Sequence, residues 1–215
     1  MNRDILEYDA VIVGAGPAGL ACAIRLKQLQ PDINICVLEK GATVGAHALS
    51  GAVIEPGPLD ALLPEWRKTP PGICVPATRD EFRLLTRSRS IRLPTPPQMN
   101  NHGNLIVSLG LLTAWMGQQA ESLGVDVFPG FAAAAPLFDE HGSMAGVQIG
   151  DMGLTRSGEP GANYSAGPEI RAPLTFIAEG ARGSLTKVLT RRFNLDASSG
   201  PQTYGLGMKE LWQLP

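Results

Sequence analysis

A glycine-rich hexapeptide, Gly14-Ala15-Gly16-Pro17-Ala18-Gly19, follows directly on an apolar run at residues 8–13, YDAVIV. A short apolar run closed by glycine reads as a buried strand. Leu20, Ala21, Ala23 and Ile24 then recur at helical spacing, and the next helix stop is Gln30-Pro31. Pro17 suits the first helical turn, where its missing N–H is not needed. A second apolar run, INICVL at 33–38, ends at Glu39-Lys40. Strand, glycine turn, helix and strand within 32 residues make a βαβ unit with a parallel strand pair. The chain is therefore expected to be α/β.

The spacing Gly14-x-Gly16-x-x-Gly19 assigns each glycine a task. Gly14 permits the tight turn off the strand, Gly16 lets backbone approach a pyrophosphate, and Gly19 lets the helix pack close to the sheet. The helix start offers N–H groups and partial positive charge to phosphates. Glu39 lies twenty residues after Gly19, at the end of the second strand. A carboxylate there accepts hydrogen bonds from both ribose hydroxyls of an adenosine, and it repels a 2′-phosphate, which argues against NADP. The motif does not separate NAD from FAD. Gly41, Gly45, Ser50 and Gly51 lie in KGATVGAHALSG, a small-residue loop that would let backbone run beside a long dinucleotide. A second glycine turn occurs in FIAEGARGSLTKVL, residues 176–189, where Glu179-Gly180 would return the chain to the ligand. Ser184 there is a candidate helix N-cap.

Composition removes other classes. Lys+Arg total 18 against 20 Asp+Glu, a net charge of −2, so a nucleic-acid binder is not expected. Three cysteines, Cys22, Cys36 and Cys74, give neither a disulfide framework nor a CxxC pair. His47, His102 and His141 share no metal-ligand spacing, and no nucleophile elbow or P-loop lysine is present. No apolar run is long enough to span a bilayer, and the first residues, MNRDILEYDA, read as neither a signal nor a transit peptide. Any redox chemistry would be carried by a cofactor.

Further along, nine of the eighteen prolines fall between Pro56 and Pro97, so that stretch is expected to be irregular apart from short helices near 58–66. A strand at 104–108, an amphipathic helix at 110–123 and a strand at 125–128 should follow. A hairpin is expected at 136–149, a long loop at 150–167 with its five glycines, a strand at 174–178 and a helix at 184–192. The domain boundaries expected are a βαβ segment at 1–55, an insertion at 56–103, the rest of the first domain at 104–193, and the start of a second, mixed α+β domain at 194–215.

YDAVIVGAGPAGLACAIRLKQL, VLEKGATVGAHALSGAVIEP, RLPTPPQMNNHGN, FIAEGARGSLTK and PQTYGLGMKELW occur in that order. Together they resemble the electron-transfer flavoprotein:ubiquinone oxidoreductase family from Tyr8 to Trp212. The resemblance implies a glutathione-reductase-like FAD-binding Rossmann-type fold. It implies FAD held by Gly14, Gly16, Ala18 and Gly19 at the pyrophosphate and by Glu39 at the ribose, with Pro17 and Lys40 also among the cofactor-binding residues. Gly45, Ala46, Ser50 and Gly51 would run beside the flavin, and Glu179 and Gly180 would close the site. It also implies electron-transfer flavoprotein, ubiquinone and a membrane surface as partners. The expected location is peripheral, on the cytoplasmic face of a bacterial inner membrane or on the mitochondrial inner membrane. Ile91 and Leu93, beside Pro94, Pro96 and Pro97, would form an exposed, stiff loop facing the bilayer. The family chain is more than twice as long, with its [4Fe–4S] cysteines in the remainder. The present chain is therefore expected to be a truncated N-terminal portion without the electron exit. A flavin-dependent reductase or hydroxylase, and a non-catalytic nucleotide-binding remnant, are the alternatives.

Overall fold

The computed structural model describes residues 3–48, 51–68 and 73–206. In chain order the strands and helices begin with β1 (Ile5–Glu7), β2 (Ala10–Val13), α1 (Pro17–Leu29) and β3 (Ile35–Glu39). β4 (Gly51–Ile54), α2 (Gly57–Leu62), β5 (Cys74–Pro76), β6 (Phe82–Leu85), β7 (Ser90–Leu93) and β8 (Leu105–Ser108) follow. Then come α3 (Leu109–Ser122), β9 (Asp126–Pro129), β10 (Ala133–Phe138) and β11 (Met144–Ile149). β12 (Met152–Leu154), β13 (Pro160–Ser165), β14 (Glu169–Arg171), β15 (Leu174–Ile177) and α4 (Ser184–Phe193) complete the series. The chain divides into two compact units, one of residues 1–48 with 113–215 and one of residues 49–112.

The first unit carries a parallel sheet in the order β15-β2-β3-β9. β2 is fully buried and β3 nearly so, which is what continuous apolar runs such as AVIV and ICVL require. Side chains alternate between the two faces. Ile12 faces α1, where the place of a Cβ on Gly19 lies 3.2 Å from its Cγ2. Val11, Val13, Cys36 and Leu38 point the other way. They pack with Val147, Ile149 and Ile170 of a second sheet, ordered β1-β14-β11-β10, and with Leu185 of α4. Burial pushes the Cys36 thiol up to about 12, as suits a reduced core residue. β12 and β13 form a separate antiparallel hairpin.

The second unit holds a three-stranded sheet ordered β4-β8-β5 and the antiparallel hairpin β6–β7. In that hairpin Phe82 opposes Leu93 and Leu84 opposes Ile91, so these four side chains share one face.

Three stretches correct the sequence reading, the first being β5 (Cys74–Pro76), a strand that pairs with β8 inside the supposedly irregular segment. Residues 82–93 are a hairpin within the supposedly irregular segment, because none of its nine prolines falls between Pro76 and Pro94. Ile91 and Leu93 are thus strand residues, and only the prolines after them leave the sheet. Residues 152–165 are a hairpin where a loop was expected. There glycine serves close strand approach: a Cβ on Gly153 would lie 2.1 Å from the Asn163 carbonyl oxygen. Residues 194–206 contain no helix or strand.

Candidate functional site

Numbered along the chain, the parallel sheet reads 3-2-1-4, with β2 first and β15 fourth. The direction of winding reverses between those two strands, and in sheets of this kind a ligand crevice is expected there, outside their carboxyl ends. Val13, Leu38 and Ile177 lie in register, so Gly14 and Ala178 leave the sheet beside Glu39, the last residue of β3. The Gly14 N–H donates to Leu38 O (2.8 Å) and the Ala178 N–H to Val13 O (2.8 Å). The crevice is therefore built by residues 14–19, 39–48 and 178–183.

The three glycines of the first turn differ in their surroundings. Gly14 has φ +109°, and a Cβ there would sit 2.4 Å from the Ala178 oxygen. A Cβ on Gly19 would sit 2.0 Å from the Gly14 oxygen. Gly16 faces open space, with nothing within 4 Å of a Cβ position. Two glycines are thus required by the fold itself, and the third keeps a cradle clear at the start of α1. Gly16 is the N-cap of α1 and Pro17 the first helical residue; no side chain caps the end and no acid sits in its first turn. Ala18 is exposed there. Uncapped N–H groups and a positive dipole end suit an anion such as a pyrophosphate.

Glu39 closes the neighbouring side. Its Oε2 accepts the Ala15 N–H (3.2 Å) and its Oε1 the Gly41 N–H (2.7 Å). These two bonds, which sequence reading missed, fix the carboxylate between the two loops. A carboxylate has about four acceptor sites, so capacity for a pair of hydroxyls remains. His47 Nδ1 lies 3.7 Å from Oε1, which brings the 43–48 turn beside Glu39. In that turn Gly45 has φ +85° and the Ala46 N–H donates to Thr43 O (3.2 Å). Lys40 is exposed. Gly51 departs from the expected flavin-side loop: it is the first residue of β4, paired with Ser108 in the second unit. Ser50 lies outside the described residues.

The second glycine turn also differs from expectation in one side chain. Gly180 takes φ +78°, as a tight turn after β15 demands. The Glu179 carboxylate, however, is turned to α4. It accepts the N–H groups of Ser184 (3.0 Å), Leu185 (3.2 Å) and Thr186 (2.8 Å) and the Thr186 hydroxyl (2.9 Å). Gly183, not Ser184, occupies the N-cap position.

Comparison with known proteins agrees with the fold. Residues 12–66 match the family model of an NAD(P)-binding Rossmann-like domain. Solved structures share the fold at low identity. A geranylgeranyl bacteriochlorophyll reductase-like protein of Thermoplasma acidophilum aligns at TM-score 0.57 and 20% identity over 81% of this chain and 39% of its own. The flavin-dependent monooxygenase PieE, solved with FAD and substrate, aligns at TM-score 0.61 and 17% identity over 87% of this chain and 32% of its own. Electron transfer flavoprotein-ubiquinone oxidoreductases are far more similar in sequence. The Dictyostelium discoideum protein is 49% identical over 99% of this chain and 36% of its own length. The Homo sapiens protein is 49% identical over 99% and 35%, and the probable Acinetobacter baylyi protein 47% over 100% and 39%. The chain is thus homologous, along nearly all of its own length, to the electron transfer flavoprotein-ubiquinone oxidoreductases, of which it spans about a third.

Proposed function

We propose that this chain is the FAD-binding portion of a flavoprotein that passes electrons from reduced electron-transfer flavoprotein to ubiquinone. The observation that carries this reading is the cleared cradle at Gly16, set between an uncapped helix start and the Glu39 carboxylate, in a chain 49% identical to such oxidoreductases. FAD, when bound, supplies the electron-accepting ring. The Gly16–Gly19 helix start holds the pyrophosphate by its N–H groups. Glu39 receives the ribose hydroxyls, already held in place by Ala15 and Gly41. The negative charge of Glu39 excludes a 2′-phosphate at the same place. The backbone of 178–180 closes the far wall.

In this reading a [4Fe–4S] cluster belongs to other parts of the whole protein. Attachment to a membrane surface belongs to this reading; no helix among the described residues is long and apolar enough to cross a membrane. The β6–β7 hairpin is the element suited to lie on such a surface, with Leu84 and Ile91 exposed on one face and Arg87 and Arg89 in the turn that joins its strands.

The test is flavin binding. The purified chain, mixed with FAD and freed of excess, should keep a flavin absorbance band. Glu39→Ala removes charge-assisted hydrogen bonds worth about 1.5–3 kcal/mol each, so affinity for FAD and ADP should fall by at least about tenfold. Unchanged affinity would remove Glu39 from the ribose site, and no binding by either protein would remove FAD from the reading.

A further inference from the structure

The Glu179 carboxylate sits at the junction of β15 and α4, yet among the described residues its hydrogen bonds are all to α4. Its two oxygens take the first three N–H groups of the helix, and the Thr186 hydroxyl as well. These donors have no partner within a helix. The capping group therefore comes from four residues before the N-cap position, Gly183, rather than from it. The place where a Gly183 side chain would go is filled: a Cβ there would lie 2.3 Å from Glu179 Oε2, 2.5 Å from Glu179 Cβ and 2.6 Å from the Thr186 hydroxyl oxygen. Gly183 is small so that the carboxylate can fold over it. Chain connectivity makes the consequence local. Glu179 follows Ala178, whose oxygen and carbon pack against Gly14 at 2.4 and 2.9 Å from a Cβ position, and the Glu179 nitrogen lies 3.3 Å from the same point. Gly14 in turn carries the oxygen that Gly19 packs against.

We infer that Glu179 is a positioning residue: by capping α4 across Gly183 it fixes the 178–180 turn against Gly14, and so sets the spacing of the crevice without touching the bound dinucleotide. The inference deepens the FAD reading given above and rests on it for its effect on binding, but its structural core is independent of any ligand.

Two variants test it, Glu179→Gln and Thr186→Val, in the full chain. Amide hydrogen exchange is followed by NMR without ligand, and ADP and FAD affinity by titration. Glu179→Gln should speed exchange at Ser184, Leu185 and Thr186, and also at Gly14 and Ala178, by about tenfold or more. Thr186→Val keeps the carboxylate and removes one bond, so it should give a smaller change at the same amides. Both should weaken nucleotide binding, and the double variant should be no weaker than Glu179→Gln alone, since the bond that Thr186→Val removes is one of those the Glu179 carboxylate makes. Faster exchange in α4 with Gly14 and Ala178 unchanged would overturn the inference. So would a Thr186→Val chain with wild-type affinity beside a Glu179→Gln chain that has lost it, the pattern of a direct ligand contact. If the wild-type chain binds neither nucleotide, the FAD reading fails, and the exchange rates still decide the role of Glu179. Should Glu179→Gln not fold, Thr186→Val decides on the same amides.

Discussion

Gly16 and Gly19 lie in one turn, but their missing side chains answer to different neighbours. At Gly19 the neighbour is protein: a Cβ would meet the Gly14 oxygen at 2.0 Å and Ile12 at 3.2 Å. Gly19→Ala should therefore destabilise the fold by about 1–3 kcal/mol or more, as overpacking against backbone does. At Gly16 there is no protein neighbour within 4 Å. Gly16→Val should leave stability within about 1 kcal/mol of wild type and weaken ADP binding. Urea unfolding and nucleotide titration of the two variants would show the split. A Gly16→Val chain that binds ADP normally would mean the cradle is not where the pyrophosphate lies. The glycine pattern and Glu39 were legible in the sequence because their partners are near in the chain and follow a fixed spacing. The Glu179 cap was not, because a capping acid is normally looked for at the N-cap position itself, and this one reaches forward over a glycine.

Composition averaged over a window hid two hairpins, and both now carry predictions. In β6–β7 the alternation of FRLL and SIRL was present, but the surrounding prolines masked it. Its apolar face includes Leu84, 53% exposed, and Ile91, 45% exposed. If it lies on a membrane, Leu84→Asp with Ile91→Asp should abolish co-sedimentation with anionic liposomes. Retained binding by the folded variant would remove the hairpin from that role. The β12–β13 hairpin is tied to the first residues of the chain through Asp151. Its carboxylate accepts from Arg3 (2.5 Å), Tyr164 (3.0 Å) and the Gly167 N–H (3.0 Å). The Arg3 hydrogen bond leads in lowering the Asp151 carboxyl from 3.8 to about 2. A lowered folded-state value means that the unfolded chain binds more protons in between. The stabilisation is therefore complete above about pH 4 and fades as pH falls towards about 2. The difference in urea midpoint between wild type and Asp151→Asn should shrink over that window. A difference constant from pH 6 down to about 2 would show that the charge of Asp151 does not matter. Sequence reading could not foresee this tie, since Arg3 and Asp151 are 148 residues apart.

On the scale of the whole molecule, the fold class followed from the first forty residues, because one βαβ unit with a glycine turn admits few continuations. The strand order did not: β9 reaches β3, and β15 reaches β2, only after long excursions, and no periodicity reports which strand they join. That order is what places the 178–180 turn opposite Gly14 and makes a crevice of two distant segments. The chain spans about a third of the relatives it matches. Electron transfer from a protein donor to a quinone needs an entry and an exit for electrons besides the flavin. In the function proposed here, the first unit would supply the place for the adenosine and pyrophosphate half of a dinucleotide. On the proposal that the electron exit belongs to other parts of the whole protein, the chain by itself is expected to bind FAD and to reduce no quinone when supplied with reduced electron-transfer flavoprotein. The measurement is quinone reduction by the purified, FAD-loaded chain, with a full-length relative run in parallel. A rate from the chain comparable to that of the full-length protein would mean that flavin, donor contact and quinone contact are all complete within these residues, and the division of labour proposed here would fall.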